Sequence, residues 1–443
     1  MQETLRMQVN TMRIVIVADV FPPLRSSGAV QLRDLSREFA RHGHEVTVLV
    51  ASPELHKDWQ IDHWNGVRIV RLRTPRTKDV SYGRRTIGEF LMPYAMRRNL
   101  KKSPLAGEKW DGVVWYSPTI FLGPIVHALK RASQCPSYLI IRDIFPEWAV
   151  DMGLMGKGLP YRFFKAVANY QYSVADVIGV QTPGNLAYFN ELASGAKPPQ
   201  LEVLHNWLSH ASDTGCSISV QKTALRGRKI FVYAGNMGIA QGMDILLDLA
   251  EKLKTRSDIG FLFVGRGSDA KRLRDDANER CLDNVVFFDE IDPDEIAGLY
   301  AQCHIGLVAL DPRHKTHNIP GKFLSYMQSA LPVLANINPG NDLIDLINST
   351  RVGAACTDQS VDSLARLAEK LLSQLEQDRD IQERCKNLAK TMFSPEVTVR
   401  QISIALQKQH DYNSVLSRAS QNHRTAGASI DTDETAPEYS SKL

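Results

Sequence analysis

Paired cysteines, long apolar runs and a dinucleotide fingerprint are all missing from this chain, and each absence closes off a class of protein. The six cysteines (Cys135, Cys216, Cys281, Cys303, Cys356 and Cys385) include no C-x-x-C pair. Neither a disulfide framework nor a thiolate zinc site is therefore indicated, and a reducing compartment fits best. No apolar run approaches the ~18 residues of a membrane-spanning helix, and Met1 to Thr11 lacks a positive-then-apolar leader pattern. The expectation is a protein that is neither secreted nor membrane-spanning. G-x-G-x-x-G is absent after the first strand, where Asp19-Val20-Phe21-Pro22-Pro23 stands, which counts against an NAD-dependent dehydrogenase. Neither sign of charge is in large excess: 53 Lys and Arg face 49 Asp and Glu, giving +4. That balance, with 43% hydrophobic residues, is globular rather than disordered or nucleic-acid-coating. The terminal Ser441-Lys442-Leu443 matches a peroxisomal address, but so short a pattern arises easily by chance.

A chain of 443 residues exceeds what one hydrophobic core serves, so at least two domains are expected. Residues 13–20 form a β-branched apolar run that reads as a strand buried on both faces. After a Pro-rich loop, Val30, Leu32, Leu35 and Phe39 recur at helical intervals, and a further strand follows over 45–50. Strand candidates at 112–116, 137–141, 176–180 and 201–204 continue the alternation. A strand-poor stretch over 210–228 precedes a second series at 229–234, 260–264, 284–288, 304–309 and 332–335. This predicts an α/β chain of two Rossmann-like domains joined near 208–228, with a cleft between them. The boundaries fall at 12–207, 208–394, a last helix over 395–410 that returns to the first domain, and a disordered tail over 411–443, which is poor in large apolar residues.

The loop Gly235-Asn236-Met237-Gly238, followed by Gln241-Gly242, lies between a strand and a helix. Backbone N–H groups at such a helix start can cradle a diphosphate, although a plain tight turn has the same composition. Ile141-Arg142-Asp143-Ile144-Phe145-Pro146-Glu147 follows a predicted strand, which puts its polar residues at the carboxyl edge where α/β clefts bind ligands. Ser27 and Gly28 sit at the start of the first helix, suited to a phosphate or an acceptor and equally to a structural turn. Asp292-Pro293-Asp294 imitates a metal-binding D-x-D but reads better as a helix cap before Glu295. His304, His314 and His317 show no metal-ligand spacing, and no metal or cofactor is expected.

Several segments together resemble the family 4 glycosyltransferases. They are Phe21-Pro22-Pro23 with Gly28; His42-Gly43-His44-Glu45; Thr182-Pro183; His205-Asn206; the Gly235 loop; Val264-Gly265-Arg266-Gly267; and Asn318-Ile319-Pro320-Gly321-Lys322 leading into Leu331-Pro332. The resemblance spans roughly residues 13–407. It implies the two-domain GT-B fold, a nucleotide-sugar donor, and transfer with retention at the anomeric carbon. By the same resemblance the donor sites are Gly235, Asn236, Gly238, Gln241, Gly265, Arg266, His317, Asn318 and Ser325. Many members carry Arg and Lys in the first glycine loop where Asn236 and Gln241 stand here, so Lys322 is the candidate compensating cation. The family's Glu-x7-Glu positions fall at His317 and Ser325, neither a carboxylate, which weakens the expected ribose contact. Asp143 is the candidate for a sugar hydroxyl or for positive charge at the anomeric carbon, with a helix N-cap as the plain alternative. Glu147 is the candidate to orient the acceptor, and Arg142 is an acceptor or phosphate ligand or an ion-pair partner. Asp143, Glu147 and Lys322 form the expected catalytic set.

From Arg68 to Lys102 eleven Lys or Arg face two acidic residues, a local +9 that exceeds the whole chain's charge. Tyr82, Phe90, Leu91, Met92, Tyr94 and Met96 are interleaved, a composition suited to an anionic lipid surface and, more plainly, to a solvated loop and helix. No nucleic-acid module accompanies the charge. The expected function is a cytoplasmic, peripheral transferase on the inner face of the cell membrane. It would move a UDP-linked sugar to a polyprenyl-diphosphate-linked saccharide in O-antigen or capsule synthesis. The whole-chain pattern is similar to L-fucosamine transferases, which points to N-acetyl-L-fucosamine as the sugar. The competing readings are a nucleotide-sugar epimerase of GT-B fold and a catalytically silent nucleotide-binding subunit.

Overall fold

The computed structural model describes residues 10–427 apart from 25, 191–197, 210–214, 314 and 316–318. In chain order the first domain contains β1 (Arg13–Ala18), α1 (Ser27–Arg41), β2 (Glu45–Ala51), β3 (Trp59–Trp64), β4 (Val67–Leu72), α2 (Tyr82–Leu100) and β5 (Gly112–Ser117). It continues with α3 (Gly123–Ser133), β6 (Ser137–Ile141), α4 (Glu147–Asp151), α5 (Leu159–Val174), β7 (Val177–Val180) and β8 (Gln200–Val203). Its strands form one sheet in the order β3-β4-β2-β1-β5-β6-β7-β8. Every pairing is parallel except that of β3 with β4. The central strands are apolar throughout because helices cover both faces, so Ile14, Val15, Ile16 and Val17 on β1 are all fully buried.

The second domain contains β9 (Lys229–Ala234), α6 (Asp244–Lys252), β10 (Ile259–Val264), α7 (Ala270–Glu279), β11 (Val285–Phe288), α8 (Ile296–Tyr300) and β12 (Ile305–Ala309). Then come α9 (Gly321–Gln328), β13 (Val333–Asn336), α10 (Asp342–Thr350), β14 (Gly353–Cys356), α11 (Val361–Gln377) and α12 (Ile381–Met392). The sheet order is β11-β10-β9-β12-β13-β14, all parallel. In each sheet the order reverses beside the domain's first strand, between β1 and β5 and between β9 and β12. Crevices open at the carboxyl ends of the strands at such switch points.

The last helix, α13 (Pro395–Gly427), returns to the first domain. Val399, Ile402, Ala405 and Leu406 are buried there among Ile14, Phe39 and Val114. Gln401 donates to Glu202 Oε1 at 2.9 Å and to the Val203 carbonyl at 2.8 Å. The expected helix over 395–410 and disordered tail from 411 are corrected here, because the helix runs on to Gly427. Residues 428–443 of that tail lie outside the described residues. The chain crosses between domains at 207–209 and again near Phe393. There Leu208 N–H donates to the Phe393 carbonyl at 3.0 Å, and Gln328 donates to the Leu208 carbonyl at 2.6 Å.

Candidate functional site

The second-domain half of the site is built where β9 and β10 end. Gly235 has φ +138° and Gly265 φ +146°, and a Cβ on Gly265 would stand 2.0 Å from the Gly235 carbonyl oxygen. Only glycine lets the two loops approach so closely. Gly235 N–H donates to the Val264 carbonyl at 2.9 Å, and Met237 N–H to that of Arg266 at 2.8 Å, so the loops zip together. Gln241 Oε1 accepts from Gly238 N–H at 3.0 Å and from Asn236 at 3.2 Å. The neutral pair that replaces the expected cations thus closes the loop on itself. Arg266 is exposed and ion-paired with Glu290 at 2.9 Å.

Lys322 stands in the first turn of α9 against this loop. A Cβ built on Gly235 would lie 3.6 Å from Lys322 Cε. The ammonium sits 3.5 Å from the centre of the Tyr233 ring, and desolvation alone pushes its pKa down to about 7. Tyr326, one turn further along α9, donates toward the carbonyls of Val232 at 3.0 Å and Leu307 at 3.1 Å, which pins the helix to β9 and β12. Ser325 Oγ donates back to the Gly321 carbonyl at 3.4 Å. The segment that delivers Lys322 is also held from the first domain: the Ile319 carbonyl accepts from Gln181 at 2.9 Å and from Asn206 at 3.2 Å. Gln181 directly precedes the Thr182-Pro183 segment noted in the sequence, and Asn206 belongs to the His205-Asn206 segment. His317 and Asn318, expected donor contacts, and His314 lie outside the described residues.

In the first domain Asp143 follows β6 and lines a cavity of about 710 Å³ with Asp19, Tyr82, Arg85, Phe121, Phe145 and Trp148. Asp143 does not cap α4, whose N-cap is Pro146. A second cavity of about 560 Å³ adjoins at Asp19 and is lined by Arg71, Arg76, Lys78 and Met92 among others. Ser27 is exposed in the first turn of α1. A Cβ on Gly28 would press on the Tyr116 ring at 3.1 Å, and the Tyr116 hydroxyl donates to Gln31 at 2.7 Å.

Two expected ligands are engaged elsewhere. Arg142 donates to the carbonyls of Leu204 at 2.8 Å and His205 at 3.4 Å and lies over the Trp207 ring at 4.6 Å. It fastens β6 to the domain exit through carbonyl and ring contacts, and the neighbouring Asp143 carboxylate favours its charged form. Glu147 is salt-bridged to Lys165 on α5 and is not among the residues lining the Asp143 cavity. His304 is structural: its Nδ1 accepts from Ile230 N–H at 3.0 Å. Asp292 Oδ1 accepts from Asp294 N–H at 3.1 Å, as in a cap.

Sequence reasoning missed Asp19, Tyr233, Tyr326 and Gln181. Asp19 carried a signal, a lone carboxylate ending an otherwise apolar strand; the tyrosines and Gln181 looked like core residues.

Comparison with known proteins follows the same division. Residues 28–207 match the Glycosyl transferase 4-like domain and residues 228–374 the Glycosyl transferases group 1 domain. A relative from Pseudomonas aeruginosa named as a glycosyltransferase, WbjE, is 25% identical over 240 residues, 53% of this chain and 59% of its own length. WcaI of Escherichia coli, named as a colanic acid biosynthesis glycosyl transferase, is 23% identical over 319 residues, 66% of this chain and 76% of its own length. The chain thus spans about three fifths and three quarters of those two relatives. The crystal structure of Anabaena Alr3699/HepE in complex with UDP-glucose superposes with a TM-score of 0.63 at 13% identity, covering 90% of this chain and all of that one.

Proposed function

Because its two domains belong to the Glycosyl transferase 4-like and Glycosyl transferases group 1 families, in the GT-B arrangement, we propose that this glycosyltransferase moves a sugar from a nucleoside diphosphate donor to a lipid-linked saccharide. The observation that carries the donor half is Lys322: a desolvated ammonium beside the Gly235 loop, with no carboxylate partner among the described residues. Such a cation gains most from a ligand that brings two negative charges. As the diphosphate leaves, the loop N–H groups and Lys322 take up the developing charge while the acceptor hydroxyl attacks the anomeric carbon from the same face, with retention. UDP is the proposed nucleotide, supported by the UDP-glucose held by the Anabaena protein of the same fold. Cell-surface polysaccharide synthesis, O-antigen or capsule, is the proposed setting, supported by the name of WcaI; N-acetyl-L-fucosamine remains the proposed sugar.

The first domain would hold the acceptor, with Asp143 facing the transferring sugar. No helix among the described residues is long and apolar enough to cross a membrane, and the proposed location is the inner face of the cytoplasmic membrane. Calorimetric titration with UDP, GDP, ADP and NAD, with and without Mg²⁺, tests the reading. Selective, metal-independent binding of UDP, weakened at least about tenfold in Lys322→Ala, is expected; NAD binding or no nucleotide binding at all would sink it.

A further inference from the structure

Asp19 follows β1 at the carboxyl edge of the first sheet, where the aromatic and the basic cavities meet, and it lines both. Its Oδ1 is shut off from solvent and has no hydrogen-bond partner among the described residues. Burial pushes the carboxyl up to about 6; Glu89 adds to that, while the residue's own backbone N–H, Lys78 and Arg85 act against it. A buried carboxylate oxygen without a donor is destabilising, and an amide or apolar side chain would serve the fold better. The missing donor is one that a ligand can supply.

The surroundings specify that ligand. Phe145 and Trp148, both half-buried, give the lining aromatic surface, while Asp19 and Asp143 offer only acceptors. A pyranose has apolar C–H faces for the rings and hydroxyl donors around its edge for the carboxylates. An anion would be repelled by the two carboxylates, and Arg85, the cation in the lining, is already paired with Glu89 at 2.9 Å. We propose that Asp19 is an acceptor-binding residue whose buried oxygen receives a hydroxyl of the acceptor saccharide, seated in the aromatic cavity between Asp19 and Asp143. This rests on the transferase reading and adds to it the residue that orients the acceptor.

The test compares the full chain with Asp19→Asn, using radiolabelled UDP-sugars and, as acceptor probe, the chloroform–methanol lipid extract of the cells that make the protein. Three quantities are measured: release of UDP into water without lipid, label transferred to lipid, and Tm. Asp19→Asn is expected to bind UDP and hydrolyse donor within about twofold of the parent, and to transfer to lipid at least about tenfold more slowly, chiefly through a higher KM for the lipid. Its Tm should be no lower, because an amide costs less to bury than a carboxylate. Asp19→Glu should fall between. Transfer by Asp19→Asn at the parental rate overturns the proposal, as does a lowered Tm with loss of donor hydrolysis, which would make Asp19 structural. Donor hydrolysis by the parent with no transfer to lipid removes the lipid-linked acceptor and the proposal with it. No UDP release and no transfer by the parent with any donor defeats the transferase reading itself, a separate failure.

Discussion

An ammonium held over an aromatic ring, withdrawn from water, is poised for an anion and costly without one. Burial holds the Lys322 pKa at about 7, so above pH 7 the empty site is increasingly neutral. A bound diphosphate favours the charged form and raises that pKa. Binding of UDP above pH 7 must therefore take up a proton, and affinity should fall as pH rises from 7 toward the pKa of the complex. Calorimetry at pH 8 in buffers of differing ionisation enthalpy should read an uptake approaching one proton, absent in Lys322→Met. That variant should bind UDP more weakly by about 1.5–3 kcal/mol, the usual worth of hydrogen bonds to a charged group. It should also melt higher below pH 10.5, since folding no longer has to deprotonate or desolvate an ammonium there. Lys322 was legible because a Pro-Gly-Lys helix start following a strand is a local pattern. The partners of Arg142 and Glu147 were not, because carbonyls of Leu204 and His205 and a lysine on another helix are fixed only by tertiary packing. Asp19 was passed over because its meaning lies in the donor it lacks.

At the scale of elements, the alternation of strand and helix was readable wherever a strand is buried on both faces, as in β1, β9 and β12. The hairpin of β3 and β4 escaped notice. It turns through Asn65 (φ 47°) and Gly66 (φ 79°), an Asn-Gly hairpin signal, but its edge strand is half-exposed and its arginines read as part of a basic stretch. In fact Arg68 is bound to Thr47 and Glu108 and Arg71 to Asp62, so neither is available to a lipid surface. The clamp of α13 on the first domain makes two predictions. Leu406→Ala should cost about 2–5 kcal/mol in denaturant unfolding, as for other fully buried leucines, whereas a chain ending at residue 410 should lose little. The second concerns His44, whose Nδ1 accepts from Met12 N–H at 3.2 Å while its Nε2 faces Ser403 Oγ at 3.2 Å. Burial holds its pKa below 6.5, so the neutral ring stabilises the fold fully above pH 6.5, and that contribution is lost as the pH falls through the folded value. Unfolding free energies at pH 7.5 and 5.5 should differ less in His44→Gln than in the parent.

The whole molecule is nearly balanced in charge, yet its first domain presents one face of unusual character. Along α2 the side chains of Tyr82, Ile87, Phe90, Leu91 and Tyr94 are exposed, Tyr82 to 89%. On the neighbouring α4–α5 side Leu154, Leu159 and Phe163 are exposed as well, Leu159 to 79%. α3 packs against both α2 and α5, and Tyr94 lies near enough to Tyr170 on α5 to disturb its titration. The apolar face is therefore broader than the sequence showed, since the basic stretch ended at Lys102 and nothing local pointed to 154–163. Arg84 and Arg97 on α2 add positive charge without an ion pair among the described residues. Apolar insertion and attraction to anionic headgroups reinforce each other, each basic residue near the surface contributing about 1 kcal/mol. Both terms can be separated by sedimentation with vesicles. Binding to vesicles of phosphatidylcholine with phosphatidylglycerol should exceed binding to phosphatidylcholine alone and weaken with salt. Arg84→Glu with Arg97→Glu should remove that difference, while Ile87→Asp with Leu159→Asp should weaken binding to both kinds of vesicle. Loss of binding from Ile87→Asp alone, with Leu159→Asp behaving as the parent, would confine the contact to α2 and leave the α4–α5 face to another use.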